Sequence, residues 1–119
     1  MRRIMVIDDD LLLVETIADC LTYSGYDVVA ISKGSDFADV VLAGQFDALL
    51  CDIKIPNFDF DREIQILSIM KHPPMIILMT GDSEIAQAKS KCYPVLLKPF
   101  HIKEFIAALE LDSHRKILA

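Results

Sequence analysis

Residues 4–13 read IMVIDDDLLL: four apolar residues run directly into three aspartates, and apolar residues resume at once. An apolar run of four that is bounded by charge is too short for a helix and predicts a buried β-strand over residues 4–7. The aspartates then stand at the carboxyl end of that strand, at the edge of the core. Two carboxylates about 4 Å apart repel each other by roughly 4 kcal/mol at an effective dielectric constant of 20. Such a repulsion requires a functional explanation.

Length and composition limit the class of protein. A chain of 119 residues suits one domain with a single core. Although 53% of the residues are apolar and the mean hydropathy is +0.38, no run approaches the ~20 apolar residues of a membrane span. The aspartates also interrupt any signal-peptide stretch at the start of the chain. We therefore expect a cytoplasmic protein with no membrane partner.

Charge and cysteine usage support the same interpretation. The formal net charge is −6, and the only basic cluster, residues 114–116, lies near the end of the chain. Direct nucleic-acid binding is therefore not expected. The cysteines are far apart in apolar contexts and form no CxxC pair, which predicts the reduced thiols of a cytosolic protein. They are Cys20, Cys51 and Cys92.

Short apolar runs alternate with helical patterns along the whole chain. The predicted strands cover residues 4–7, 27–31, 46–51, 75–79 and 95–97, and the predicted helices cover residues 11–24, 35–43, 62–71, 83–91 and 102–111. The strands are continuously apolar, which is typical of a parallel sheet covered by helices on both faces. The prediction is one α/β domain over residues 1–119, with a doubly wound five-stranded parallel sheet of flavodoxin-like order 2-1-3-4-5.

Polar groups follow the carboxyl ends of four predicted strands. They are Asp8, Asp9 and Asp10 after strand one, Asp52 after strand three, Thr80 after strand four and Lys98 after strand five. In open α/β sheets, ligands bind outside the carboxyl ends of the strands where the strand order reverses. Strands one and three are neighbours at that point, so Asp8, Asp9 and Asp52 share one pocket. A few carboxylates with room for water and phosphate suit Mg²⁺.

Each of these residues also has a purely structural interpretation. Asp10 could cap the first helix, and Asp52 with Pro56 could form only a turn. Thr80 could end its strand through its own hydroxyl, and Lys98 could be a solvated lysine before a proline. Taken singly, the structural interpretation is favoured for each residue, but all four strand ends carrying a suitable group in one sheet favours a functional site.

The motifs VIDDD, LLCDIKIPNFD, IILMTGD and LLKPF resemble the acidic pair, phosphoacceptor loop, hydroxyl position and Lys-Pro of response-regulator receiver domains. The resemblance extends over essentially the whole chain. It implies that Asp52 accepts a phosphoryl group from a phosphohistidine on a sensor histidine kinase or a histidine phosphotransfer protein. The domain would then be a phosphoacceptor in signalling and not an enzyme, beyond its own phosphorylation and dephosphorylation.

The resemblance also implies roles for the neighbouring residues. Asp8 and Asp9 would hold Mg²⁺ together with the Asp52 carboxylate and the backbone carbonyl of Lys54. Thr80 would donate a hydrogen bond to the phosphoryl group. Lys98 would pair with the charge of the phosphoryl group, aimed inward by a cis peptide bond to Pro99.

Two departures from the family pattern concern signal output. Val95 stands where the family usually has an aromatic residue, and Tyr93 lies two residues earlier on the same strand face. The interval from Thr80 to Lys98 is about one helical turn shorter than usual, so helix four is expected to be short. We predict that any switch works through Thr80 and residues 81–84, with Tyr93 at most a partial substitute.

Two further departures lie close to the site. Phe60 stands where a glycine commonly occurs in the loop after the phosphorylation site. Lys54 and Asp82 occupy the two positions that often tune how long the phosphoryl group survives, and Lys54 offers no acid or amide to align an attacking water. A fairly long-lived adduct is expected, although the small Gly81 beside the site leaves room for solvent.

Two other functions remain open at this stage. Haloacid-dehalogenase-type phosphohydrolases also carry an Asp-x-Asp after a first strand, as Asp8 and Asp10 do. Against this, position 12 is Leu, and no acidic pair follows a strand after Lys98. The other possibility is a receiver-like adaptor that binds a partner without being phosphorylated. Because few residues follow the last predicted helix, no effector domain is expected in this chain, and the sequence does not identify the output partner.

Overall fold

The sheet has the predicted strand order. A computed structural model describes the backbone of residues 2–118 and the side chains of residues 2–111. Its five parallel strands are ordered β2-β1-β3-β4-β5. The strands are β1 (Arg3–Ile7), β2 (Asp27–Ile31), β3 (Ala48–Asp52), β4 (Met75–Thr80) and β5 (Val95–Leu97). The helices are α1 (Leu11–Tyr23), α2 (Phe37–Ala43), α3 (Phe60–Glu63), α4 (Ser83–Lys89) and α5 (Ile102–Leu118).

Helices cover both faces of the sheet, which explains why the strands are continuously apolar. Ile4 and Val6 of β1 pack on one side with residues of α1 and α5, whereas Met5 and Ile7 pack on the other side with residues of α2. All five residues of the central strand β3 are buried. A strand with a core on each face takes apolar residues along its length, so the two-residue alternation of a half-exposed strand is absent, and in β3 only the last residue, Asp52, is polar.

The pairing register brings the carboxyl ends of the strands level with one another. Ile7 pairs with Cys51, Asp52 pairs with Met79, and Thr80 pairs with Leu97. The strand boundaries differ slightly from the prediction, because Asp52 and Thr80 are the last residues of their strands and do not follow them. The polar groups predicted to lie at this edge of the sheet therefore lie at neighbouring positions.

The helix predicted over residues 62–71 is present, but it begins at Phe60, ends at Ile69 and is mostly a 3₁₀-helix. The chain forms one α-helical turn in α3 and continues as a 3₁₀-helix over Ile64–Ile69. Three of the apolar residues that contact the core are spaced by three: Leu67 is buried, and Ile64 and Met70 pack partly buried against the same core. A spacing of three matches the 3.0 residues per turn of a 3₁₀-helix, which keeps these side chains on one line.

The boundaries of the four other helices also differ from the prediction. Helix α1 ends one residue early, at Tyr23, and α2 begins at Phe37, after a 3₁₀ turn over Gly34–Asp36. Helix α4 ends at Lys89, two residues early, and the Lys89 carbonyl accepts hydrogen bonds from the amides of Cys92 and Tyr93. The next residue is Pro94, which disfavours a helical conformation at Tyr93. Helix α5 continues to Leu118 because the chain beyond residue 111 holds no Gly or Pro to end it.

Other sequence expectations concern the surface and the thiols. No helix in the described part of the chain is long and apolar enough to cross a membrane. All three cysteines are free thiols, but only Cys51 is buried. The side chains of the basic cluster at residues 114–116 lie outside the described residues.

Candidate functional site

Three carboxylates meet at the carboxyl end of the sheet. Asp8 follows β1, Asp9 is the next residue, and Asp52 ends β3, which is the neighbouring strand. Each contributes one oxygen to a group in which all the oxygens lie within 4.8 Å of one another. Asp8 and Asp52 are buried and Asp9 is exposed. The cluster therefore borders the buried core on one side and solvent on the other.

Lys98 connects the two buried carboxylates. Its Nζ lies 2.6 Å from Asp8 Oδ2 and 3.2 Å from Asp52 Oδ2. The second oxygen of each carboxylate accepts a backbone hydrogen bond, from the amide of Asp10 at 2.9 Å and from the amide of Lys54 at 3.2 Å respectively. The Lys98–Pro99 peptide bond is cis, as the resemblance implied.

Thr80 ends the next strand and is buried. Its Oγ1 accepts a hydrogen bond from the Asp82 amide at 3.1 Å, and its carbonyl accepts one from the Lys98 amide at 2.7 Å. The first contact matches the structural interpretation of Thr80 as a strand-ending residue. A hydroxyl that accepts one hydrogen bond still carries its own proton to donate. Thr80 can therefore hold the loop and also serve as a donor at the site.

Burial and the neighbouring charges shift the pKa values of several groups in and beside the cluster. Burial raises the pKa of Asp52, and the charge of Asp8 raises it further; the opposing contacts with Lys98 and the Lys54 amide do not cancel this. Burial alone would lower the pKa of Lys98, but the two carboxylates raise it above its usual value, so the ammonium stays charged. Burial, assisted by Asp52 and Asp8, raises the pKa of Cys51, which makes that thiol unreactive.

An ion pair lies beside the cluster. Lys54 Nζ lies 3.2 Å from Asp82 Oδ2, and the other carboxylate oxygen of Asp82 accepts hydrogen bonds from the amides of Glu84 and Ile85 at the start of α4. The Ile85 amide and the Lys54 ammonium hold the pKa of Asp82 below its usual value. Both positions stand out in the sequence, but the contact between them does not. What the sequence does show is that Lys54 lies two residues after Asp52 and that Asp82 lies two residues after Thr80.

The structure also tests the purely structural interpretations. Asp10 caps α1, because its side chain accepts a hydrogen bond from the Leu13 amide at 3.2 Å. The view of Asp52 as only a turn residue was wrong, since it lies within β3 and is 5% exposed. Lys98 is not a solvated lysine, because it bridges two buried carboxylates.

The known proteins whose sequences resemble this chain are response regulators. The family described as "Response regulator receiver domain" matches residues 4–110. The response regulator MprA of Mycobacterium avium (strain 104) is 30% identical over 112 residues, which covers 90% of this chain and 49% of the relative. The chain thus spans about half the length of the curated relatives that it matches.

Comparison with solved structures gives the same fold. A response regulator receiver domain protein from Clostridium thermocellum is similar with a TM-score of 0.82 and 24% identity, covering 99% of this chain and 98% of that one. The response regulator TrrA from Thermotoga maritima, solved in complex with Mg²⁺-BeF, is similar with a TM-score of 0.73 and 23% identity. That similarity covers 92% of this chain and 99% of that one.

Proposed function

This chain belongs to the family of response regulator receiver domains, and from that premise we propose that Asp52 accepts a phosphoryl group from a phosphohistidine donor. The donor is a sensor histidine kinase or a histidine phosphotransfer protein, and the phosphorylated state alters the binding of an output partner. Aspartyl phosphate and Mg²⁺ are general features of this family.

The central position of Asp52 is the observation that carries this proposal. Its strand β3 lies between β1, which leads into Asp8 and Asp9, and β4, which ends at Thr80. Lys98 Nζ also contacts the Asp52 carboxylate directly. Asp52 is thus the carboxylate that borders the acidic pair, the lysine and the hydroxyl strand together. Asp8 shares the lysine but lies on the far side of β3 from β4.

The donor atoms of the cluster fit a magnesium ion. Three carboxylates within 4.8 Å of one another supply hard oxygen ligands, and the exposed Asp9 leaves the site open on one side. We assign Asp8, Asp9, Asp52 and the backbone carbonyl of Lys54 as the protein ligands. When bound, Mg²⁺ would neutralise charge on the carboxylates and on the incoming phosphoryl group.

The protein's own groups position the reaction. An oxygen of Asp52 attacks the phosphorus of the phosphohistidine, so that a phosphorus–oxygen bond forms as the phosphorus–nitrogen bond breaks and the imidazole leaves. Lys98, held protonated by its raised pKa, remains beside the reacting oxygen and pairs with the phosphoryl charge. The Thr80 hydroxyl donates to a phosphoryl oxygen. These groups act by orientation and electrostatic stabilisation, as is usual in phosphoryl transfer.

The phosphohydrolase alternative is weakened by the contact that the second residue of its would-be catalytic pair makes. The Asp10 side chain caps α1. An Asp-x-Asp hydrolase needs the second aspartate to act on the substrate, and here that residue serves the helix. The adaptor alternative does not account for a partly buried lysine that bridges two buried carboxylates.

The proposal is tested by incubating the protein with acetyl phosphate and Mg²⁺ and locating the adduct by mass spectrometry. We expect one phosphoryl group, on Asp52, which Asp52→Asn removes. Lys98→Ala should lower the extent of labelling without moving the site. Labelling of Asp8 with continuous turnover of phosphate esters would favour the hydrolase. An absence of adduct, under conditions that label a known receiver domain, would favour the adaptor.

A further inference from the structure

Helix α4 contributes no fully buried residue to the core. Of its seven residues only Ile85, Ala86 and Lys89 are partly buried, and the other four are exposed. Burial of an apolar face normally fixes the position of a surface helix. For α4 that contribution is small, so the contacts at its two ends decide where it lies.

The amino-terminal end of α4 is held by Asp82. Its side chain accepts hydrogen bonds from the amides of Glu84 and Ile85, and it also pairs with Lys54 at 3.2 Å. The Lys54 amide in turn donates to Asp52 Oδ1. This end of the helix is thus connected to the proposed phosphoacceptor through one residue.

The carboxyl-terminal end is held by the start of α3. Lys89 Nζ lies 2.7 Å from Asp61 Oδ1 and 5.4 Å from the centre of the Phe60 ring. Tyr93, whose amide donates to the Lys89 carbonyl, packs edge-on against the same ring at 5.5 Å and 83°. Phe60 is 3% exposed. A buried ring is therefore contacted by an ammonium group and a second ring from the α4–β5 connection.

Both contacts originate in the segment that follows Asp52. Residues 54–61 reach from one end of α4 to the other, and Ile55 and Phe58 anchor the segment in the core. We propose that residues 54–61 clamp α4 at both ends and transmit the state of Asp52 to this helix. This inference rests on the proposed function, because it takes phosphorylation of Asp52 as the input.

The two ends of the clamp respond differently to phosphorylation. A phosphoryl group carries about −1.5 to −2 charges at neutral pH. On Asp52 it competes with Asp82 for the Lys54 ammonium, which loosens the amino-terminal end. The pair between Lys89 and Asp61 is remote from the phosphoryl group and stays closed. Helix α4 then pivots about its carboxyl-terminal end.

The test opens the remote end of the clamp and leaves the site intact. Asp61→Asn and Lys89→Met each remove the ion pair; Lys89→Met also removes the ammonium contact with the Phe60 ring, and neither variant replaces Phe60 itself. The matched controls are Asp39→Asn and Lys33→Met, which remove one exposed charge of each sign elsewhere. Hydrogen exchange of the α4 amides is measured in each unmodified protein. Exposed ion pairs and cation–π contacts are weak, so we expect exchange about threefold to tenfold faster in the two clamp variants and unchanged exchange in the controls.

Amide chemical shifts are then recorded before and after reaction with acetyl phosphate and Mg²⁺. In the unaltered protein, we expect amides 83–86 to shift more than amides 87–89. In the clamp variants this difference between the two halves should become smaller. Unchanged exchange in the clamp variants, or the same asymmetry in all variants, would overturn the clamp while the Asp52 adduct stands. An absence of adduct would instead overturn the proposed function, and with it the proposal that the state of Asp52 is transmitted to α4.

Discussion

The carboxylate cluster should make the metal-free protein less stable than a variant with one charge fewer. We choose Asp9→Asn, because Lys98 pairs with Asp8 and Asp52 and the exposed Asp9 has no part in that bridge. Two unit charges 4.8 Å apart repel by ~0.9 kcal/mol at the dielectric constant of water and by ~3.5 kcal/mol at 20. The exposure of Asp9 favours the lower value for each of its two neighbours. We therefore expect stabilisation by about 1–2 kcal/mol, or about 4–8 °C in Tm for a chain of this length.

Asp10→Asn is the matched control. It removes the same charge from the next residue, but Asp10 caps α1 and is not part of the cluster. Asparagine caps helices about as well as aspartate, so only a favourable interaction with the helix dipole is lost. The Tm of this variant should stay the same or fall slightly.

Magnesium should close the gap in stability between the unaltered protein and Asp9→Asn. A ligand at ten times its Kd stabilises the folded state by about 1.4 kcal/mol, which corresponds to about 6 °C here. Thermal unfolding with and without Mg²⁺ should show that rise for the unaltered protein and for Asp10→Asn, and little or none for Asp9→Asn. A Tm that does not respond to Mg²⁺, or an Asp9→Asn variant that is less stable without metal, would refute the reasoning.

Three further predictions follow from the contacts and pKa shifts of the site. Lys98→Met leaves the carboxylates of Asp8 and Asp52 buried without their shared cation, so denaturant unfolding at pH 7 should show a loss of about 2–4 kcal/mol, and a smaller loss at pH 4. The folded-state pKa of Asp52 is raised above its ordinary value of 3.8. Asp52 therefore contributes stability when the pH is below 3.8, and this contribution is lost as the pH rises through the folded-state pKa. The metal-free protein should therefore lose stability relative to Asp52→Asn over that interval, and parallel pH profiles would contradict the assignment. Iodoacetamide at pH 8 should alkylate the two exposed cysteines and spare Cys51, whose pKa is raised by burial; modification of Cys51 in the folded protein at a similar rate would contradict its burial.

The sequence by itself determined the sheet. Each strand is a short apolar run that is too short for a helix, and its uninterrupted apolar character required cover on both faces. Because parallel strands end at the same edge, the sequence alone assigns the polar residue after each run to that edge. The group formed by Asp8, Asp9 and Asp52, with Lys98 beside it, follows from this reasoning.

The helices on one side of the sheet were predicted less well. The apolar spacing of three after Phe60 indicated a helix, but local periodicity over so few residues did not separate an α-helix from a 3₁₀-helix. The end of α4 depends on the amides of Cys92 and Tyr93 reaching the Lys89 carbonyl. Such boundaries are decided by which hydrogen bonds the folded chain can complete, and a propensity pattern does not contain that information.

Only the tertiary structure decided which charges meet. Lys98 lies 90 residues from Asp8 along the chain and binds it more closely than it binds Asp52. Lys54 and Asp82, like Lys89 and Asp61, are 28 residues apart. A charged surface residue satisfies the sequence pattern equally well with any partner or with water, so its partner depends on where two loops end in space. The connection between the proposed phosphoacceptor and α4 consists of such contacts, and for that reason it could not be predicted from the sequence.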